Sequence, residues 1–181
     1  MGPSGSGKST LLNVLAHRPF APKFSVESQI LINRAKVSTT TIRRASCYVE
    51  QEDSLIGSLT ARETLAFAAK LGLPSSVTKT ERKRRVEGLL ASFGLLRSAD
   101  TIIGTAVRKG LSGGEKRRVS VASQLITCPK VLFLDEPTSG LDSVASFEVM
   151  SYLREVAKKN KVCLSPSRNF PPRRLRQFLI S

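Results

Sequence analysis

Ten residues at the start of this chain constrain most of what it can become: Met1-Gly2-Pro3-Ser4-Gly5-Ser6-Gly7-Lys8-Ser9-Thr10. Gly2, Gly7, Lys8 and Ser9 fit the pattern G-x-x-x-x-G-K-[ST] of a phosphate-binding loop. A triphosphate lies against many backbone N–H groups at once, and side chains would block that approach. The loop is therefore built from Gly and Ser. Lys8 brings a positive charge to the β- and γ-phosphates, and the Ser9 hydroxyl is the expected magnesium ligand. The apolar helix expected over Leu11 to Ala16 turns its positive end toward the phosphates. The motif also expects a strand before the loop, and none precedes it here.

With 181 residues the chain is most simply one domain. Its hydrophobic fraction of 40% supports a real core and excludes disorder. No apolar run approaches the ~18 residues of a membrane span, and no charged-then-apolar signal pattern opens the chain. Cys47, Cys128 and Cys163 form no C-x-x-C pair and read as buried or idle thiols of a reducing compartment. A net charge of +15 raises nucleic acid or an anionic membrane as partners. The clusters Arg82 to Arg85 and Lys116 to Arg118 read instead as solvated helix faces. With no Trp and only two Tyr, the chain offers little stacking surface for single strands, so no nucleic acid is expected.

Along the chain, Gln29 to Ile32 reads as a short strand ending at Asn33. Ser46 to Glu50 reads as another, running into Gln51-Glu52-Asp53. A polar residue at the carboxyl end of such a strand is placed to meet a ligand, although Gln51 by itself reads better as an ordinary surface glutamine. Three capping boxes follow: Thr60 with Glu63, Thr78 with Glu81, and Ser112 with Glu115. The second opens a helix whose stripe is Val86, Leu89, Leu90 and Phe93. The third helix carries Gly113 and Gly114 in its first turn, where glycine costs up to ~1 kcal/mol each. Small residues make sense there if a phosphate comes close to exposed N–H groups; the alternative is a loose cap. Val131-Leu132-Phe133-Leu134 suits a buried parallel strand. Asp135 then emerges where a magnesium-holding aspartate sits, and Glu136 follows, able to orient a water. The alternative is a carboxylate pair making turn hydrogen bonds. Ser139-Gly140-Leu141-Asp142 forms a turn before a helix with Phe147, Met150 and Leu153 on its apolar face.

In this order the P-loop, Gln51, Leu111-Ser112-Gly113-Gly114-Glu115, Asp135-Glu136 and Ser139-Gly140-Leu141-Asp142 resemble the nucleotide-binding domain of ATP-binding cassette (ABC) proteins. The fuller stretches from Val107 to Arg118 and from Asp135 to Ser143 resemble the G subfamily, which includes eye-pigment and sterol transporters. The resemblance covers Gly2 to about Asn160. It implies an α/β P-loop NTPase fold with a mostly parallel sheet and an inserted helical subdomain, incomplete at both ends. Residues 1–53 and 129–160 would form the ATPase core, and about 54–128 the helical subdomain with the signature motif. Residues 161–181 would be a divergent basic tail outside the fold.

The resemblance further implies ATP and Mg2+ as cofactors. Gly2, Ser4, Gly5, Ser6, Gly7, Lys8, Ser9 and Thr10 would bind the phosphates. Ser9 and Gln51 would contact magnesium, Asp135 would act on it through water, and Glu136 would polarise the attacking water. Ser112, Gly113 and Gly114 match the signature that caps the γ-phosphate of an opposite subunit, and Asp142 matches the loop that couples the two sites. The implied partners are a second nucleotide-binding domain, head to tail, and a transmembrane domain that exports an unidentified substrate. The implied location is the cytosolic face of a membrane.

The chain departs from the family's pattern in three places. It lacks the adenine-stacking aromatic and strand before the P-loop. It lacks the later histidine that contacts the γ-phosphate, since its only histidine is His17. Its end, from Val162-Cys163-Leu164 through Pro171-Pro172-Arg173-Arg174, matches nothing in the family. These departures suit a fragment, and leave a non-catalytic nucleotide-binding piece as one alternative. A soluble cassette ATPase acting on ribosomes or nucleic acid is the other. Such proteins usually place Asn-His where Ser139-Gly140 stands here.

Overall fold

The architecture comes from a computed structural model, which describes residues 6–18, 31–32, 35–36, 38–51, 53–105, 107–158 and 162–164. Its centre is a parallel sheet. Strands β3 (Ser46–Val49) and β4 (Val131–Leu134) pair with Tyr48 opposite Phe133 and Val49 opposite Leu134. The backbone N–H of Asp135 donates to the Val49 carbonyl at 3.0 Å, carrying the ladder one residue past the strand. On the other side of β4 lies β5 (Val162–Leu164), also parallel. Three residues read from sequence as the start of a tail thus belong to the sheet, because they supply a partner for the central strand's second edge.

Alternation along β4 sorts its side chains between two layers. Phe133 packs with Leu12 and Ala16 of the first helix, α1 (Lys8–Leu15). Leu132 and Leu134 face the other way, into the main core. That core gathers Leu65 and Ala69 of α3 (Ala61–Gly72), Val86 and Leu90 of α4 (Lys79–Ser92), and Val119, Ala122 and Leu125 of α5 (Gly113–Leu125). Val149 and Leu153 of α6 (Ser143–Lys158) complete it. Helices thus cover both faces of a parallel sheet, the arrangement expected from the sequence.

Two elements, the second helix and the second strand, escaped the sequence pattern. Helix α2 (Thr39–Ala45) begins on a run of threonines, poor helix formers, and is started by Ser38, whose hydroxyl accepts from the Thr41 N–H at 3.2 Å. A small antiparallel pair joins β1 (Leu31–Ile32) to β2 (Ala35–Lys36). Gln29 and Asn33, part of the expected strand and turn, lie outside the described residues.

The helical region corrects the picture of solvated arginines. Arg82 donates to the carbonyls of Ala69, Lys70, Leu73, Pro74 and Val77, at the end of α3 and the loop beyond it. Its guanidinium satisfies orphan carbonyls of a helix terminus. The Thr78–Glu81 box is half made: Thr78 accepts from the Glu81 N–H, but the Glu81 carboxylate binds Arg84 and Arg85 instead. On α6 the apolar face is turned from the one expected. Val149 and Leu153 are buried, while Phe147 is 72% exposed. Lys158 pairs with Glu155 at 2.6 Å, as its spacing predicts.

Candidate functional site

The loop before α1 leaves that helix uncapped. Gly7 sits at φ +79°, in the left-handed region, with nothing near an added Cβ, so conformation and not crowding demands glycine there. No side chain caps the helix and no acid lies in its first turn. A helix start without a side-chain cap or a nearby acid suits an anion. Thr10 lies exposed in that first turn. Gly2, Ser4 and Gly5 lie outside the described residues, and Ser6 is the first described residue of the loop.

The carboxyl ends of the strands supply the rest. The Ser9 hydroxyl donates to Asp135 Oδ1 at 3.0 Å, although 126 residues separate them. Lys8 Nζ stands 3.7 Å from Glu136 Oε1. Glu136 itself has φ +41°, unusual for a residue with a side chain. The Gln51 amide donates to Ser139 Oγ at 3.3 Å, which leaves its carbonyl oxygen available. Lys8, Ser9, Gln51, Asp135 and Glu136 are thereby brought to one edge of the sheet. The oxygens of Ser9, Asp135 and Gln51 are hard donors that suit magnesium, an ion that takes few protein ligands and keeps waters and phosphate oxygens. Among the described residues no group of three or more His, Cys, Asp or Glu is placed to hold a metal.

Tyr48 joins the cluster from β3, where sequence reasoning gave it no role. Its hydroxyl donates to Asp135 Oδ2 at 3.2 Å. Burial and the neighbouring Asp135 charge push its pKa up to about 12, so the phenol keeps its proton. Arg117 was likewise missed. It lies on α5, 3% exposed, and gathers the carbonyls of Glu50 (2.7 Å), Gln51 (3.3 Å), Asp135 (3.2 Å) and Pro137 (3.1 Å) and the Asp53 carboxylate (2.8 Å). One guanidinium thus ties the carboxyl ends of β3 and β4 to α5. Arg118 is nearly as buried, paired with Glu148 and lying over the Tyr152 ring. A run of basic residues beside a cap gave no local sign of this burial; only packing on several sides of α5 reveals it.

Ser112, Gly113 and Gly114 form a second centre, at the start of α5. Ser112 and Glu115 make the full reciprocal capping box. The two glycines differ. A Cβ on Gly114 would fall 2.8 Å from the Ala145 Cβ, whereas one on Gly113 meets only Leu141 at 3.6 Å. Gly114 permits α5 to press against the start of α6, and Gly113 keeps an open surface. Asp142 caps α6, its carboxylate accepting from the Ala145 N–H at 2.8 Å. His17 ends the turn after α1, nine residues along from Lys8, with Nδ1 3.4 Å from the Thr39 hydroxyl.

A glycine-started helix, a lysine, and a serine facing a strand-end aspartate are the marks of the P-loop class of fold. The family model "ABC transporter" matches residues 1–139, and the chain belongs to that family. Among curated proteins it is 45% identical over 164 residues to ABC transporter G family member STR of Petunia hybrida, covering 91% of this chain and 20% of that protein. It is 46% identical to G family member 1 of Dictyostelium discoideum over 91% of this chain and 21% of that protein. With G family member 11 of Arabidopsis thaliana it shares 44% identity over 91% of this chain and 23% of the relative. The chain spans about a fifth of the length of these relatives. Its structure is similar to one described as "Dimeric structure of a post-hydrolysis state of the ATP-binding cassette MJ0796 bound to ADP and Pi". The TM-score there is 0.70 at 29% identity, covering 93% of this chain and 73% of that one. Among the described residues no helix is long and apolar enough to cross a membrane.

Proposed function

We propose that this chain is the ATP-binding and ATP-hydrolysing domain of a G family transporter. The observation that carries this is the meeting of Lys8 and Ser9, from the loop and first turn of α1, with Asp135 and Glu136 at the end of β4. The open N–H groups and Lys8 bind the β- and γ-phosphates of ATP, with Gly2, Ser4, Gly5, Ser6, Gly7 and Thr10 completing the cradle. Ser9 and Gln51 would hold magnesium directly and Asp135 through water, and the ion would neutralise charge on the phosphate oxygens. Before nucleotide arrives, Lys8 and Glu136 neutralise one another. ATP draws Lys8 to the phosphates and leaves the Glu136 carboxylate to orient a water. That water adds to the γ-phosphorus as the bond to the bridging oxygen of ADP breaks.

The similar dimeric cassette, described as bound to ADP and Pi, supports both the nucleotide and a paired assembly for this chain. Two such domains close head to tail, each presenting Ser112, Gly113 and Gly114 to the other's γ-phosphate, with Asp142 linking the sites. The cycle drives a transmembrane domain from the cytosolic face of a membrane. The test is ATP titration and phosphate release on the full chain. Binding that needs Lys8 is the expected result, and equal affinity in Lys8→Ala would overturn it. The Ser112→Arg variant is expected to bind ATP as a monomer but not to dimerise with it. Loss of monomer binding would show the signature acting within one chain.

A further inference from the structure

We propose that Tyr48 is a positioning residue for magnesium: its hydroxyl holds one oxygen of Asp135 so that the other stays turned toward Ser9. The proposal rests on the reading of this site as one for magnesium and ATP, and names a residue that neither the motifs nor the family match assigns.

The register makes the contact unavoidable. Tyr48 on β3 stands directly opposite Phe133 on β4. Asp135 comes two residues later and points to the same face. The tyrosine side chain is long enough to span that offset, its hydroxyl reaching the carboxylate. The result is a carboxylate held at both ends, Oδ2 by the Tyr48 hydroxyl at 3.2 Å and Oδ1 by the Ser9 hydroxyl at 3.0 Å.

Tyr48 is itself fixed. Its ring stacks on Phe133, centroids 6.3 Å apart and planes 29° from parallel. The Arg18 guanidinium lies 4.4 Å from the ring centroid and is anchored by a 2.6 Å contact with Glu50. With the ring held by two neighbours, the direction of the hydroxyl is set by the fold. Packing alone would need no hydroxyl, because Phe133 and Arg18 meet only the ring. β3 also leads straight into Gln51, three residues on, so one strand delivers a ligand of the ion and the holder of another. Groups that orient a metal-binding carboxylate act on affinity for the ion more than on the fold.

The experiment is calorimetric titration of the full chain and of Tyr48→Phe with ATP, in EDTA and at stepped magnesium concentrations. The magnesium needed for half-maximal enhancement of ATP binding is expected to rise about tenfold in Tyr48→Phe. ATP affinity in EDTA and the melting temperature are expected to match the parent chain. An unchanged magnesium midpoint overturns the proposal. So does an equal loss of affinity with and without magnesium, which would mean that the hydroxyl serves the fold. If the parent chain binds ATP without any response to magnesium, the magnesium–ATP reading itself fails and takes the proposal with it.

Discussion

Two helices of this molecule begin where phosphate is expected, and their starts are built on opposite plans. Helix α1 opens on Gly7, with no side-chain cap and no acid in its first turn. Helix α5 opens on Ser112, with a closed capping box to Glu115. The anchoring differs in the same sense. Helix α1 buries only Leu12 along its length and meets the sheet through Leu12, Ala16 and Phe133. Helix α5 buries residues on several sides, Arg117 and Arg118 among them. A helix start without a side-chain cap or an acid is suited to an anion. A capped one is complete in itself and serves as a rigid platform. The contrast suits the proposed roles, ligand binding within the chain for α1 and a finished surface facing a partner's ligand for α5.

The sharpest way to break this contrast is to remove the lysine from each helix. Lys8→Ala is expected to lower ATP affinity about 100-fold, or about 2.7 kcal/mol, the scale of a charge-assisted contact to phosphate. The fold should be retained, because no residue of the buried hydrophobic core is changed. Lys116→Ala, at the fourth residue of α5, should bind ATP as the parent does. Titration of the two variants side by side decides it; an equal loss in both would erase the distinction between the helices.

A second comparison lies inside the signature. Gly114→Ala forces a methyl to within 2.8 Å of the Ala145 Cβ, so α5 and α6 must separate. Overpacking of this kind is expected to cost about 1–3 kcal/mol. Gly113→Ala meets its nearest neighbour at 3.6 Å and should leave stability unchanged or slightly raised. Denaturant unfolding separates the two. Equal midpoints would mean that both glycines are kept for the same reason.

The cap comes next in size. Ser112→Ala removes the acceptor for the Glu115 N–H and should cost about 1 kcal/mol. In a chain of this length that is a fall of about 2–4 °C in melting temperature. The start of α1 has no side-chain cap to lose, so alanine at Ser9 should leave the melting temperature nearly unchanged in the absence of nucleotide. A fall as large as that of Ser112→Ala would show that its bond to Asp135 holds α1 in place.

What sequence revealed and what it hid divide along the same physical line. Contacts between near neighbours leave a spacing behind. The Thr60 and Ser112 boxes, the β4 run and the P-loop were all legible for that reason. Contacts between distant segments leave none. Arg117 looked like part of a solvated basic run because its five acceptors come from Glu50, Gln51, Asp53, Asp135 and Pro137. Tyr48 was only a strand residue until register set it opposite Phe133. Helix α2 was hidden because its threonines favour extended backbone, and a single serine cap overrides them. The apolar face of α6 was misjudged because Phe147 is as hydrophobic as any core residue, and hydrophobicity alone does not require burial.

The smallest effect tests whether the α5 cap is electrostatic as well as geometric. Burial of the Glu115 carboxylate works to raise its pKa, yet the net shift is downward. The Ser112 N–H at 2.9 Å and hydroxyl at 2.8 Å outweigh burial, with Ser98 and Arg118 adding to them. A carboxyl held below its ordinary value favours the fold while it is ionised. That contribution is complete above the ordinary value of 4.5 and is lost as pH falls through the lower, folded value. Glu115→Gln keeps an acceptor but has no proton to gain. The melting temperature of the parent should therefore exceed that of Glu115→Gln above pH 4.5, and the gap should shrink on acidification below it. Glu81, held down to about 2 by Arg84 and Arg85, titrates alike in both proteins and cancels from the difference. Melting curves between about pH 6 and pH 3 provide the check. A gap that stays constant across that range would mean that Glu115 caps α5 by shape alone, and the two helix starts would then differ only in which groups are covered.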